Sequence, residues 1–225
     1  MKILTDTYKY QPLIRTDAPE GRYYQVTPQG AKLPSVTTIL SKTQPAEKAK
    51  TLDNWRNRVG DEEADKIVAE AVLIGEHLHK NLENHILGIP TRTGPMISKI
   101  MSELVVKHGL KHVEEVWGVE AQLHHTTLYA GTTDLVGVYK GKPCIMDFKN
   151  SRKIKKREWI EDYTLQLAAY AEAHNSLFNT NIKDGVIMMA TRDLKYLEFD
   201  IFGKEFQTAR DTWMRRVEQY HASLK

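Results

Sequence analysis

Cysteine and long apolar runs are nearly missing from this chain of 225 residues, and neither charge sign dominates it. The one cysteine, Cys144, cannot form an internal disulfide or a site built from several cysteines, which favours a reducing compartment. No apolar run approaches the roughly 18 residues that cross a bilayer, so we expect no membrane partner. Residues 1–6 mix both charge signs and lack the apolar core of a secretory signal. We therefore expect a cytoplasmic protein.

The remaining composition is that of an ordinary globular protein, with 41% hydrophobic and 27% charged residues. The length suits one large domain, and no shift in composition marks a boundary between two cores. We therefore expect a single domain over residues 1–225. Its expected parts are a small β element at 1–34, a helical region at 35–110, a core of strands and helix at 111–201 and a closing helix at 202–225.

The hydrophobic pattern predicts helices first and strands afterwards. Ser35 precedes an apolar periodic run and is typical of a helix N-cap. Residues 22–26 have the pattern of a strand. Further helices are expected near 45–58, 61–87, 95–108 and 158–178, and strands near 113–125, 129–139, 143–149, 185–191 and 196–201. This order predicts an α/β fold with a central mixed β-sheet flanked by helices, preceded by an N-terminal helical region.

Two aspartates fall inside predicted strands, where Asp is disfavoured and therefore calls for an explanation beyond folding. Asp134 lies in the strand that begins near Tyr129, and Asp147 lies in Asp147-Phe148-Lys149 at the end of the next strand. Residues two apart on a strand project from the same face, so the Asp147 carboxylate and the Lys149 ammonium are predicted to lie side by side. A divalent-metal ligand beside a cation is suited to cutting a phosphodiester.

A basic segment follows the second aspartate directly. Five of the six residues at 152–157 are basic, whereas the net charge of the whole chain is only +3. A charge run is often only a solvated face. Beside two candidate metal ligands, it is better interpreted as a phosphate-contacting surface. Its basic members are Arg152, Lys153, Lys155, Lys156 and Arg157.

Two more residues could add ligands to such a metal. On the long helix, His79 lies beside the apolar stripe, where a ligand role and a structural role are both open. On the strand at 113–125, alternation places Glu120 with Gln122 and His124 on what looks like a solvated face. Glu120 could alternatively help a second metal or position water.

Gln166 and Tyr170 are one turn apart on the helix predicted at 158–178, so they can face the same target. An ordinary amphipathic helix with its aromatic in the core would show the same pattern. Only the two carboxylates upstream favour a role in a site.

Taken in order, these motifs resemble the RecB-type branch of the PD-(D/E)XK nucleases. The resemblance rests on Gly75-x-x-x-His79, Gly131-Thr-Thr-Asp134, Asp147-Phe-Lys149 and Gln166-x-x-x-Tyr170. Residues 33–40 and 129–134 look most like the family of mitochondrial genome maintenance exonucleases and their bacterial and phage relatives. A threonine, Thr133, stands where a proline is often drawn before the first aspartate. The single cysteine excludes the iron–sulfur variants of the branch.

The resemblance implies a restriction-endonuclease-like core and a role for each matched position. His79, Asp134, Asp147 and the backbone carbonyl of Phe148 would hold one or two Mg²⁺ or Mn²⁺ ions. Lys149 would orient or activate the attacking water. Gln166 and Tyr170 would steady the phosphate or the active-site side chains. Nucleic-acid contacts are implied for Ser35 and Thr37 as well as for the basic segment.

The implied function is exonucleolytic hydrolysis of single-stranded DNA from free ends, in DNA repair or replication, by a monomer. A duplex-DNA nuclease of the same fold, acting as an endonuclease or recombination exonuclease, remains an alternative. A DNA-binding module without catalysis is a third. The absence of an organelle signal leads us to expect a bacterial or phage rather than a mitochondrial origin.

Overall fold

The computed structural model describes residues 2–3 and 7–224, which form nine strands and six α-helices. The strands are β1 Lys2–Ile3, β2 Ile14–Ala18, β3 Gly21–Gln25, β4 Leu33–Pro34, β5 Val113–His125, β6 Tyr129–Tyr139, β7 Lys142–Ser151, β8 Asp184–Thr191 and β9 Tyr196–Ile201. The helices are α1 Val36–Lys42, α2 Ala46–Val59, α3 Asp61–Ile86, α4 Met96–His108, α5 Glu161–Phe178 and α6 Gly203–Ala222. Each predicted helix from α2 to α5 and each predicted strand from β5 to β9 is present, within a few residues of its expected bounds.

The main sheet has the strand order β1-β5-β6-β7-β8-β9. Strands β5, β6 and β7 form an antiparallel meander, β7 and β8 are parallel, and β8 and β9 are antiparallel. Parallel neighbours need a crossover connection, and α5 lies in the one that joins β7 to β8. The predicted α/β fold with a central mixed sheet flanked by helices is therefore confirmed.

Helices cover both faces of the sheet. One face packs against α1, α5 and α6 through a core that includes Ile39, Leu167 and Trp213. The other face packs against α3 and α4, where Leu78 and Met101 are fully buried. The strands therefore carry apolar side chains on both faces, as a sheet enclosed between two helical layers requires.

A second, three-stranded sheet is formed by β2, β3 and β4. The sequence pattern predicted β3 but did not resolve β2 as a separate strand. Tyr24 and Leu33 of this sheet pack against Ala130 at the start of β6. Ser35 continues from β4 and forms an isolated parallel bridge with Ala130. The small sheet is thereby attached beside the strand that carries Asp134.

Two local details differ from the sequence expectation or refine it. The helix expected from about residue 158 begins at Glu161, because Arg157–Trp159 forms a 3-10 turn instead. Helix α2 contributes no buried residue to the core.

Among the described residues, no helix is both long and apolar enough to cross a bilayer.

Candidate active site

Asp134 lies where strands β6 and β7 separate. The last pair of their ladder is Leu135 with Met146. Beyond that pair, Asp134 Oδ2 takes the place of a strand carbonyl and accepts the backbone N–H of Phe148 at 2.6 Å. A strand residue points its N–H and C=O to the same edge, so the carbonyl of Phe148 also faces this opening. The opening thus presents a carboxylate and a carbonyl to the same space.

Asp147 and Lys149 lie side by side, as strand alternation predicts. Lys149 Nζ is 2.8 Å from Asp147 Oδ1 and 2.6 Å from Oδ2. The Asp147 side chain is almost completely buried, and that of Lys149 is 18% exposed. One ammonium group therefore faces both oxygens of a carboxylate that water hardly reaches.

His79 reaches the same opening from α3. Its Nδ1 lies 3.2 Å from Asp134 Oδ1, and the ring meets Phe148 edge to face at 6.2 Å between centroids. One turn earlier, a Cβ on Gly75 would lie 2.5 Å from Asn150 Nδ2 of β7. The missing side chain of Gly75 lets α3 approach β7 closely enough for the imidazole to reach Asp134.

Glu120 departs from the expected alternation. Its φ is +48°, in the left-handed region that non-glycine residues rarely adopt. Val119 packs with the α3 and α4 layer, whereas Ala121 belongs to the core on the opposite face. The backbone therefore switches faces at Glu120. The residue as a whole is exposed, as predicted, but its carboxylate lies among the ligand atoms of His79 and Asp134, where it fits the alternative role beside a metal.

Burial and the charges of this cluster together determine the shifted pKa values. Burial raises the pKa of Asp147 to about 6 and that of Glu120 to about 7, and Asp134 adds to both shifts. Burial also disfavours ionised Asp134, but His79 and Lys149 outweigh it and lower the pKa of Asp134. Burial opposes charge on His79 as well, yet Asp134 raises its pKa to about 8. Three carboxylates thus compete for one ammonium and one imidazole.

This surplus of acidic groups fits a divalent cation. Among the described residues, the ligand atoms of His79, Glu120 and Asp134 lie within 4.8 Å of one another. The 3.2 Å from His79 Nδ1 to Asp134 Oδ1 is close to the roughly 3 Å between adjacent ligands of an octahedral ion with bonds of about 2.1 Å. Carboxylate oxygens suit Mg²⁺, and the imidazole makes Mn²⁺ equally suitable. Asp147 stands beside this group of three rather than within it.

Helix α5 adds the predicted pair Gln166 and Tyr170. Gln166 Nε2 donates to the Tyr170 hydroxyl at 3.4 Å. Burial raises the pKa of Tyr170, and the charges of Tyr24, Asp147 and Asp134 raise it further. A Cβ on Gly131 would lie 2.8 Å from the Tyr170 ring. The glycine of the Gly131-Thr-Thr-Asp134 motif therefore makes room for this tyrosine.

Tyr163 also belongs to this neighbourhood, and the sequence analysis assigned it no role. Its ring centroid lies 5.1 Å from Lys149 Nζ and 5.5 Å from Lys155 Nζ. Tyr163 precedes Gln166 by three residues on α5, so helical spacing places both on one face. That spacing is the signal that could have identified it.

The basic segment divides into free and engaged side chains. Arg157 forms a paired contact with Glu205, at 3.0 Å and 2.6 Å, and donates to the carbonyl of Asp200. It is thus held against α6, although its side chain remains about half-exposed. Lys156 lies over the ring of Trp159, whereas Arg152 and Lys153 are exposed.

A groove of about 920 Å³ separates α2 from the basic segment. Lys153 and Lys155 line one wall, and Lys48 and Arg58 of α2 line the other. The remaining lining residues are two tryptophans, two aliphatic residues and four polar residues: Trp55, Trp159, Leu52, Ile154, Gln44, Thr51, Asn54 and Ser151. Cations and aromatic rings therefore line the same groove, which includes Ser151 at the end of β7.

The two residues implied as nucleic-acid contacts near α1 differ in exposure. Ser35 is buried, and its Oγ accepts the N–H of Thr38 at 2.9 Å as the helix N-cap. Its predicted cap role is confirmed, but its side chain is not presented to a ligand. Thr37 is exposed and shares a hydrogen bond with Ser35 at 3.0 Å.

Comparison with known proteins finds relatives over most of this chain. Mitochondrial genome maintenance exonuclease 1 of Mus musculus is 29% identical over 214 residues, which cover 88% of this chain and 61% of the relative. The Xenopus tropicalis protein of the same name is 29% identical over 84% of this chain and 57% of its own length. The Homo sapiens protein is 29% identical over 86% of this chain and 59% of its own length. The chain therefore spans about three fifths of the curated relatives that it matches.

The chain matches no protein-family profile. Among solved structures, a candidate exonuclease from Eubacterium rectale overlaps 66% of this chain and 66% of its own chain, with 15% sequence identity and a TM-score of 0.48. The mitochondrial names of the curated relatives do not favour the expected bacterial or phage origin. The sequence resemblance to the mitochondrial genome maintenance exonucleases is confirmed by these homologues.

Proposed function

We propose that this protein is a divalent-metal-dependent DNA exonuclease that acts on single strands from a free end. The observation that carries the proposal is the contact of His79 with Asp134 at the opening between β6 and β7, with the Asp147–Lys149 pair near enough to interact electrostatically with Asp134. Homologues named exonucleases support the same activity. The intact acidic and lysine positions disfavour a binding module without catalysis.

The residues divide the work by their chemistry. His79, Asp134 and Glu120 would hold the metal, and Asp147 and the carbonyl of Phe148, which lie beside this group, would complete its ligands. A bound Mg²⁺ or Mn²⁺ supplies Lewis acidity, which activates water and neutralises charge on the phosphate.

Lys149 provides the fixed positive charge beside Asp147, where it would orient the attacking water and stabilise the phosphate. Gln166 and Tyr170 form a hydrogen-bonded pair that would steady the phosphate or the side chains around it.

The preference for single strands is supported by the groove beside α2. Lys153, Lys155 and Arg58 can follow a phosphate backbone, which gives salt-dependent affinity without sequence preference, whereas Lys48 is paired with Asp162. Trp55 and Trp159 offer faces on which unpaired bases could stack. Stacking needs bases that are free of a partner strand, so this lining suits single-stranded better than duplex DNA.

The test is cleavage of linear and covalently closed circular single-stranded DNA with Mg²⁺. We expect the linear strand to be degraded and the circle to remain intact. Asp147→Asn and Lys149→Ala should each slow cleavage by roughly 100-fold or more. Asp211→Asn, at an exposed position on α6, is the matched control and should cleave at the wild-type rate.

Three results would contradict the proposal. Equal cleavage by wild type and both site variants would remove the assigned residues from the reaction. Cleavage of the circle at the linear rate would refute dependence on ends. Undiminished cleavage in excess EDTA would refute dependence on a metal.

A further inference from the structure

Tyr163 is the aromatic residue of α5 that touches both the candidate catalytic lysine and the basic segment. Lys149 Nζ lies 5.1 Å from its ring centroid, and Lys155 Nζ lies 5.5 Å from the same centroid. Ammonium groups within about 6 Å of an aromatic centroid are attracted by the negative face of the ring. One ring thus holds two cations that belong to different parts of the candidate site.

Lys149 needs its contact with the Tyr163 ring because its carboxylate partner, Asp147, is also a proposed metal ligand. Lys149 Nζ lies 2.8 Å and 2.6 Å from the two carboxylate oxygens of Asp147. A metal ion bound by Asp147 would withdraw part of the carboxylate charge from the lysine and weaken that contact. The ring of Tyr163 binds no metal, so its attraction for Lys149 persists.

Lys155 gives the same ring a second function. This lysine lines the groove beside α2, together with Lys153 and Trp159. Its side chain is less exposed than those of its neighbours, consistent with its position over Tyr163. A phosphate bound by Lys155 would therefore be held at a fixed distance from the ammonium of Lys149.

We propose that Tyr163 is a positioning residue, whose ring sets the relative placement of the Lys149 and Lys155 ammonium groups and thereby aligns the strand in the groove with the reaction site. The inference rests on the proposed nuclease function. It differs from a packing role, in which Tyr163 would serve only as an apolar side chain against the core of α5.

Kinetic comparison of Tyr163→Phe and Tyr163→Leu separates the two roles. Phe keeps the ring, and we expect its kcat within about twofold of wild type. Leu keeps apolar bulk without a π face, and we expect kcat to fall about tenfold, equivalent to about 1.4 kcal/mol of transition-state stabilisation. Thermal unfolding of the metal-free variants verifies that both are folded.

Lys155→Ala shows which of the two lysines mediates the change in kcat and which mediates the change in KM. On its own, this variant should raise KM and should lower kcat less than Tyr163→Leu does, because Lys149 keeps its contact with the ring. The kcat loss of Tyr163→Leu should persist in the Lys155→Ala background, because that loss acts through Lys149. The KM effects of the two substitutions should be less than additive, since they remove the same contact.

A spectroscopic measurement tests the contact without cleavage. Protons that lie over an aromatic ring resonate upfield, so the Lys149 ε-methylene protons should be displaced upfield in metal-free wild type and in Tyr163→Phe. Tyr163→Leu should abolish the displacement. Spectra of Lys149→Ala assign the signal.

The outcomes distinguish the inference from the function on which it rests. Normal kcat for Tyr163→Leu in an active enzyme would overturn the role of Tyr163 and leave the nuclease assignment intact. An equal loss in the Phe and Leu variants would also overturn it, because the ring would not be the active feature. Absence of cleavage by wild type would overturn the nuclease function and, with it, the catalytic part of this inference.

Discussion

Asp134 and Phe148 are joined by a 2.6 Å hydrogen bond across two strands that no longer pair with each other. The carboxylate completes the hydrogen bonding of β7 at the point where β6 leaves it. Asp134 therefore has a structural role, the hydrogen bond to Phe148, in addition to its proposed role as a metal ligand. Substitution can separate the two roles.

Replacing Asp134 with Asn or Ala should separate folding from catalysis. Asn retains an oxygen that accepts the Phe148 N–H, whereas Ala leaves that donor unpaired. We expect Asp134→Ala to lower the free energy of unfolding by about 1–3 kcal/mol and Asp134→Asn to lower it less. Both should abolish cleavage. Urea unfolding and DNA cleavage measure the two effects; equal stability of the two variants would refute the structural role.

Glu120→Gln should weaken metal binding. Its carboxylate lies with the ligand atoms of His79 and Asp134, and an amide is a poorer ligand for a divalent cation. We expect the Mn²⁺ affinity to fall about tenfold, or about 1.4 kcal/mol, in calorimetric titration. Glu114→Gln, at an exposed position on the same strand, should bind Mn²⁺ as wild type does. Unchanged affinity of the Glu120 variant would show that this carboxylate is not a ligand.

Lys155 and Arg157 should respond differently to removal, although both are in the basic segment. Lys155 lines the groove, whereas Arg157 is held by Glu205. Lys155→Ala should reduce the salt dependence of single-strand binding by about 0.7 in the slope of log K against log salt, and Arg157→Ala should leave the slope unchanged. Fluorescence anisotropy in the Asp147→Asn background measures binding without cleavage. Equal slopes for both variants would contradict the assignment.

His174 should make stability depend on pH. It is fully buried, with Nε2 3.0 Å from the Tyr10 hydroxyl and Nδ1 2.8 Å from Thr180 Oγ1. Burial lowers its pKa from 6.5 to about 4. Between these values the unfolded chain binds a proton that the folded protein does not, so stability falls as pH decreases from 6.5 toward 4, by up to about 3 kcal/mol.

His174→Gln should remove this contribution and leave the opposite contributions of Asp147 and Glu120, whereas His85→Asn, at an exposed position, should retain the wild-type slope. Urea unfolding at a series of pH values between 4 and 7 makes the comparison. The same slope in wild type and His174→Gln would assign the pH dependence to other groups.

The sequence predicted the elements well because their patterns are local. Apolar spacing along α3 fixes its buried stripe, and alternation along β7 places Asp147 beside Lys149. The helix N-cap at Ser35 was likewise readable, because a serine before an apolar run is a local signal.

Features that depend on tertiary contacts were not predictable in this way. The alternation of side chains along a strand assumes an extended backbone, so it could not predict the left-handed φ of Glu120. Arg157 is neutralised by Glu205, which lies on a different helix far along the chain. A helical periodicity can place Tyr163 beside Gln166, but it cannot show which lysines approach the ring.

Because α2 buries none of its side chains, one wall of the groove is largely independent of the energetics that hold the sheet and its covering helices together. Exchange of the exposed Arg58 would therefore alter the affinity for a polynucleotide while leaving the melting temperature nearly unchanged. Substrate preference could thus be re-engineered on this helix without compensating mutations elsewhere.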